Sequence, residues 1–206
     1  MPKLAIDVAL LPPKKIMDIC IGINARAYLN GWTKDRLNKT NFFPHITLFM
    51  GTAEKSDLKM IKNILQKIAN EGIAPGIILN RLERRKNIDG TRPYFLNAYR
   101  SKKLQNLHER VMKDLKKFLT TTGTTKMFFK KKNEEEPKNS NWLNQYEQKA
   151  AFKNFHPHIT LRTEQASYEK LPLKFVATRL VLGHMGTSST CRKILYEVRL
   201  PKPQST

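Results

Sequence analysis

Phe42-Phe43-Pro44-His45-Ile46-Thr47-Leu48 and Phe155-His156-Pro157-His158-Ile159-Thr160-Leu161 are two copies of one pattern. Each places His-Ile-Thr-Leu directly after a proline, with a phenylalanine two residues before that proline. The chain holds only five histidines, so two in matched frames mark a repeat rather than chance. Side chains alternate faces along a strand, so His45 and Thr47 share one face, as do His158 and Thr160. Ile46, Leu48, Ile159 and Leu161 then enter a core behind them. Each copy presents an imidazole and a hydroxyl from a half-buried strand. Two such strands facing one another form a site equipped for acid–base chemistry on a phosphate.

Outward from these strands the pattern is mixed. Leu4 to Leu11 is a short apolar run stopped by Pro12-Pro13, and predicts a strand. Lys14 to Leu29 carries Ile16, Ile19, Cys20, Ile23 and Ala27 at helical spacing. The first motif strand is expected from Phe42 to Met50, ended by Gly51. Thr52 or Ser56 would then cap a helix with Leu58, Ile61, Ile64, Leu65 and Ile68 on one face, reaching Gly72. Ile77 to Leu82 and Tyr94 to Tyr99 read as paired strands joined across residues 84–92, where Asp89-Gly90 is a turn signal. A helix from about Lys102 to Leu119 leads, after a break, to the second motif strand, Phe155 to Arg162. Leu173 to Gly183 and Lys193 to Leu200 close the chain as two strands around a Gly/Ser/Thr-rich turn. Hairpin-like strand pairs interleaved with helices predict an α+β fold with antiparallel sheets. The motifs stand about half a chain apart, which predicts two pseudo-symmetric lobes, each an antiparallel sheet flanked by helices, in one domain over residues 1–206.

Residues 120–150 break the pattern. A threonine-rich stretch leads into Lys126-Met127-Phe128-Phe129-Lys130-Lys131-Lys132, then Glu134-Glu135-Glu136-Pro137, then Trp142 and Tyr146. The expectation is an inserted, partly mobile basic and aromatic loop with a short helix near Trp142 to Gln148. It could hold nucleotides by charge and stacking, or be a tolerated surface insertion.

Charge narrows the partners. The 206 residues contain 38 Lys+Arg against 17 Asp+Glu, for a formal charge of +21 and a pI near 10.1. Such a surface attracts polyanions, so RNA or another oligonucleotide is the expected partner. Cys20 and Cys191 stand alone and make neither a disulfide framework nor a zinc site. The start of the chain lacks a signal-peptide core, and no apolar run approaches a membrane span. A cytoplasmic monomer is expected, or a nuclear one in a eukaryotic cell, with no membrane partner.

Two His-x-Thr-x motifs, each preceded by an aromatic and a proline, resemble the two-histidine (2H) phosphoesterase superfamily. The closest likeness is to its 2′,5′ RNA ligase and cyclic nucleotide phosphodiesterase branch. The resemblance implies a bilobal fold with the motifs facing across a central groove, and chemistry without metal or cofactor. It makes His45 and His158 the catalytic pair and gives Thr47 and Thr160 the phosphate oxygens. Residue chemistry agrees independently. An imidazole titrates near ~6.5, so one can be neutral and the other protonated near neutrality, serving as base and acid in a bell-shaped pH profile.

Superposing the two copies pairs Phe43 with His156 and Phe49 with Arg162, all at the parity of the motif residues. The groove is therefore expected to be unequal. Arg162 is a candidate phosphate ligand and Phe49 a candidate base-stacking surface, with packing between lobes an equal reading for Phe43 and Phe49. Tyr94 and Tyr99 are further substrate-contact candidates. His156 and His158 share a face and could pair on a metal, but no Asp, Glu or Cys lies close in sequence to complete a shell. His108 reads as a solvated helix residue and His184 as structural. The expected function is a metal-independent phosphodiesterase acting on RNA ends or short oligonucleotides, through 2′,3′-cyclic phosphate opening or cleavage of 2′,5′-linked or cyclic oligonucleotides. The alternative is a non-catalytic RNA- or nucleotide-binding module on the same fold.

Overall fold

The apolar run after Lys3 becomes β1 (Lys3–Leu11), the strand around which the first sheet is built. The computed structural model describes residues 3–86, 92–132, 134, 136–187 and 190–203. Antiparallel to β1 lie β2 (Ile46–Glu54) on one side and β7 (Arg179–Gly186) on the other, with β8 (Thr190–Arg199) beyond, in the order β2-β1-β7-β8. The second sheet has the order β5 (His158–Thr160), β4 (Tyr94–Ala98), β3 (Gly76–Arg84), β6 (Leu173–Val176), again antiparallel throughout. Four helices complete the α+β fold: α1 (Lys14–Leu29), α2 (Leu58–Glu71), α3 (Lys102–Asp114) and α4 (Asn141–Ala150). Each sheet carries one His-Ile-Thr-Leu copy.

Strand β1 is buried on both faces, as a central strand covered from two sides must be. Ile6, Val8 and Leu10 enter the main core, while Ala9 and Leu11 join a smaller cluster with Met17, Phe43, Val181 and Cys191. Ile61, Leu65 and Ile68 give α2 its buried stripe, and Leu104, Leu107 and Val111 do the same for α3. The main core runs continuously from these helices to Leu79, Leu96, Ile159 and Leu161 of the second sheet.

The sheets do not divide the chain at its midpoint. The first takes strands from both ends of the sequence, and the second is built from the uninterrupted run β3 to β6. The expected strand from Leu173 to Gly183 is two strands in different sheets. The chain crosses between them at Ala177 and Thr178, where Ala177 N–H bonds to Pro75 O and Leu200 N–H to Thr178 O. Gly51 does not end β2. It is needed within the strand because a Cβ there would lie 2.2 Å from the carbonyl oxygen of Phe118. The capping side chains before α2 are Glu54 and Asp57, not Thr52 or Ser56, and Glu54 N–H donates to Asp57 Oδ2 at 3.0 Å. The Asp89-Gly90 turn, Glu135 and the serines of the final turn (Ser188, Ser189) lie outside the described residues.

The 120–150 segment packs into the body of the protein. Phe128, Leu143 and Tyr146 belong to the main core, α4 packs against β2, and Ser140 and Asn144 both donate to the Gly123 carbonyl. Among the described residues, no helix is long and apolar enough to cross a membrane.

His108 is not a solvated helix residue. It is fully buried, stacked on Phe155 at 3.9 Å, with Nδ1 donating to Leu48 O at 2.8 Å and Nε2 accepting from Phe152 N–H at 2.9 Å. One imidazole thus ties the end of the first motif to the approach of the second. Both bonds require the neutral ring, and burial pushes its pKa down to about 4. A depressed histidine contributes stability that is whole above its ordinary value near 6.5 and is lost as the pH falls through 4. His108→Ala is expected to cost roughly 2–4 kcal/mol in urea unfolding at pH 7.5, since it strands a buried carbonyl and a buried N–H. His108→Gln should flatten the acid side of the stability curve between those two pH values. An Ala variant as stable as the wild type would remove the tie from the account.

Candidate active site

Both motif histidines are held by their own chain. Pro44 and Pro157 turn the backbone so that the carbonyl two residues before each histidine meets its ring: His45 Nδ1 lies 2.7 Å from Phe43 O, and His158 Nδ1 lies 2.7 Å from His156 O. A carbonyl only accepts, so Nδ1 carries the hydrogen in each ring and Nε2 is left for chemistry. The alternation expected of the tetrapeptides is present. His45, Thr47, His158 and Thr160 are partly exposed, whereas Ile46, Leu48, Ile159 and Leu161 are buried. Strands β2 and β5 come into contact, and the charge of His45 reaches His158.

The two imidazoles sit in different surroundings. Across β4, Asn97 pairs with His158 and Phe95 with Thr160, and the Phe95 ring lies 4.4 Å from the His158 ring. Asn97 Nδ2 donates to Glu83 Oε2 at 2.6 Å; Arg81 bonds to the same oxygen at 2.8 Å, and Arg85 approaches Oε1 at 3.8 Å. The His156 ring is 5.8 Å from that of His158, and His156 Nδ1 is buried without a hydrogen-bond partner. Burial pushes His158 down to about 4, and the neighbouring charges of His156, His45 and Arg85 add to the effect against its carbonyl bond. His156 is lowered as well, first by burial and then by Arg85. Burial alone would raise Glu83, but its bond from Asn97 and the charges of Arg85 and Arg81 hold it below the usual carboxylate range.

Beside His45 lies an acid instead. Asp7 Oδ2 is 3.8 Å from His45 Nε2, and the Asp7 side chain is completely buried. Burial raises its pKa to about 6, opposed by the charge of His45.

Several sequence-predicted contacts fall elsewhere. Phe49 is wholly buried in the main core because a bulge interrupts the β1–β2 register: Thr47 pairs with Ala9 but Phe49 with Val8, so Leu48 is the extra residue and parity inverts. Phe43 precedes β2 and packs in the smaller cluster, with its N–H on Cys191 O. Arg162 follows the end of β5, takes a left-handed φ of 55° and clamps Asp35, with Nε 2.8 Å from Oδ2. It therefore fastens the 30–41 loop to the second motif, a task it shares with buried Asn24, whose amide donates to Leu161 O and Asp35 O. Tyr94 has the opposite parity to Phe95 and Asn97 and packs against the main core, away from His158; Tyr99 is exposed. His184 Nε2 bonds to Met127 O. No third His, Cys, Asp or Glu joins His156 and His158 in a metal-sized group among the described residues.

Sequence reasoning passed over Asp7, Phe95, Asn97, Arg81, Glu83 and Arg85. Two signals were available: Asp7 is a lone acid inside an apolar strand, and Arg81, Glu83 and Arg85 alternate at strand period. Histidine-resolved NMR across pH should find both rings as Nδ1–H tautomers, with His158 titrating at about 4. A His158 midpoint at the ordinary value near ~6.5 would contradict the buried, cation-flanked environment of that ring.

No protein-family model matches the sequence. No curated protein matches it. Solved structures do. E. coli LigT complexed with NADP+ has a TM-score of 0.59 at 14% identity, over 98% of this chain and 99% of that one. TT0787 of Thermus thermophilus has a TM-score of 0.61 at 14% identity, over 98% and 100%. E. coli LigT complexed with 3′-AMP has a TM-score of 0.56 at 14% identity, over 96% and 98%. At this level of identity the likeness shows a shared fold, that of LigT and TT0787.

Proposed function

We propose that this chain is a metal-independent phosphodiesterase acting on RNA ends or short oligonucleotides, with His158 as general base and His45 as general acid. The observation that carries the reading is the paired lock on the imidazoles. Two rings on contacting strands are fixed in one tautomer by their own backbone, each with Nε2 left out of that bond and each followed two residues later by a threonine on the same face. That is the equipment for moving one proton onto a base and another off an acid across a single phosphate.

The unequal surroundings support the assignment of roles. His158, kept neutral by burial and nearby cations, accepts the proton of the attacking water or ribose hydroxyl as the new P–O bond forms. His45 gives the proton on Nε2 to the leaving oxygen as the old P–O bond breaks. Hydroxyls of Thr47 and Thr160 donate to the non-bridging oxygens, whose charge grows in the transition state. For a 2′,3′-cyclic phosphate the leaving group is one ribose oxygen, and the product is a phosphomonoester.

Arg81 and Arg85 lie near His156 and His158 on the second sheet and bring positive charge to that side of the site. Together with the formal charge of +21, they favour a substrate with more than one phosphate. LigT, which shares the fold, has been solved with NADP+, 3′-AMP and ATP.

The test is turnover with EDTA present, on RNA ending in a 2′,3′-cyclic phosphate, on 2′,5′-oligoadenylate and on cyclic dinucleotides. At least one is expected to turn over. His45→Ala and His158→Ala should each lose about 10²–10⁴-fold in kcat. Arg81→Ala/Arg85→Ala should raise KM for an oligonucleotide while leaving a nucleoside 2′,3′-cyclic phosphate nearly unaffected. RNA binding without turnover would favour the binding-module reading, and activity that EDTA abolishes would contradict the mechanism.

A further inference from the structure

Asp7 has an arrangement that strand packing does not account for. It stands mid-strand in β1, pairing with Met50 of β2 and Gly183 of β7, on the face that also carries Ala9 and Thr47. Its side chain is wholly buried, and neither carboxylate oxygen has a hydrogen-bond partner. Such a group is costly, and an apolar residue would suit the strand better. Room for it depends on Gly183, where a Cβ would lie 2.2 Å from Asp7 Oδ1 and 2.7 Å from Cys191 Sγ. A glycine in the neighbouring strand therefore leaves space for a carboxylate that makes no hydrogen bond.

The groups around Asp7 say what that carboxylate serves. Cys191 of β8 and Tyr146 of α4 are raised by burial and further by the charge of Asp7, so both face it as neutral acids. The remaining titratable partner among the described residues is His45, whose Nε2 lies 3.8 Å from Oδ2. This nitrogen is the one left free by the Nδ1 bond to Phe43 O.

We infer that Asp7 is a positioning residue for His45: its buried carboxylate, 3.8 Å from Nε2, stabilises the imidazolium that delivers the proton to the leaving oxygen. The inference rests on the phosphodiesterase reading. In the step itself the proton on Nε2 passes to the leaving oxygen as the P–O bond breaks, and Asp7 remains an anion throughout. An anion within about 4–6 Å of an imidazole favours its charged form, and the charge of His45 in turn opposes the rise in the Asp7 pKa. Among the described residues no carboxylate pairs with His158, and Glu83 in its surroundings is taken up by Asn97, Arg81 and Arg85. The buried acid thus accounts for the inequality between two otherwise matching motifs.

The sign of the stability effect separates this role from a structural one. A carboxylate raised from 3.8 to about 6 contributes stability that is present below 3.8 and lost as the pH rises through 6. At pH 8 the ionised Asp7 therefore weakens the fold. Asp7→Asn is expected to keep or raise Tm at pH 8 while kcat falls about 10–100-fold with little change in KM, a smaller loss than removal of the acid itself. Loss of Tm in step with activity, or an unchanged kcat, would overturn the inference.

A second measurement needs neither turnover nor a folded Asp7 variant. In His45→Ala, the Asp7 carboxyl, followed by its carbon-13 shift, should ionise at higher pH than in the wild type because the opposing cation is gone. An unchanged midpoint would show that the two groups are not coupled. A wild type that turns over nothing would sink the phosphodiesterase reading and leave this coupling to be judged on its own. Turnover that Asp7→Asn leaves intact would sink the role of Asp7 and leave the phosphodiesterase standing.

Discussion

A hydrogen bond from an imidazole to the carbonyl two residues behind it, made twice, is the constraint on which the rest of the site depends. It fixes the rotamer and the tautomer of His45 and His158, and it does so with backbone on the approach to each strand. The proline before each histidine sets the turn that makes the bond. A threonine two residues on follows the ring onto the same face because the chain has by then become a strand. Each Pro-His-Ile-Thr-Leu segment is therefore built as a unit, and on the proposed reading the fold brings two such half-sites together.

The fold does this with polar ties, one between the motifs and others from α1 and its loop to the second motif. His108 bonds Leu48 at the end of the first and Phe152 on the approach to the second. Asn24 and the Arg162–Asp35 pair fasten α1 and its following loop to Leu161 and Arg162, at the far end of the second. The apolar core continues beneath both sheets without a break. Placement of the two half-sites thus rests on buried polar contacts with defined geometry, and these sit on elements that carry no part of the repeat.

The repeat, the alternation within it and the α+β class were legible because each depends on residues close in sequence. What was not legible depended on partners far away. The inversion at Phe49 comes from a bulge against β1, and no local pattern around Leu48 announces it. His108 lies off the apolar stripe of its helix, so periodicity alone placed it in solvent; residues brought in from β2 and from the 150s bury it. Arg162 shares the motif's parity on paper, but β5 stops at Thr160 and the backbone turns left-handed before Arg162 is placed. The basic run with Phe128 and Phe129, then Trp142 and Tyr146, reads as an exposed aromatic loop, but Phe128 and Tyr146 belong to the core together with Leu143.

On the proposed reading, two segments of one design in unlike electrostatic surroundings give the reaction its direction. Burial and then nearby cations keep His158 neutral, and a buried carboxylate stands by His45. The most direct test of the central claim, that both half-sites act on one phosphate, is a crystal structure of the protein with a 3′-nucleotide bound. The account predicts phosphate oxygens within about 2.6–3.2 Å of Nε2 of both histidines, with the hydroxyls of Thr47 and Thr160 on the same phosphate. A phosphate seated on only one motif, or on the basic surface away from both, would contradict it.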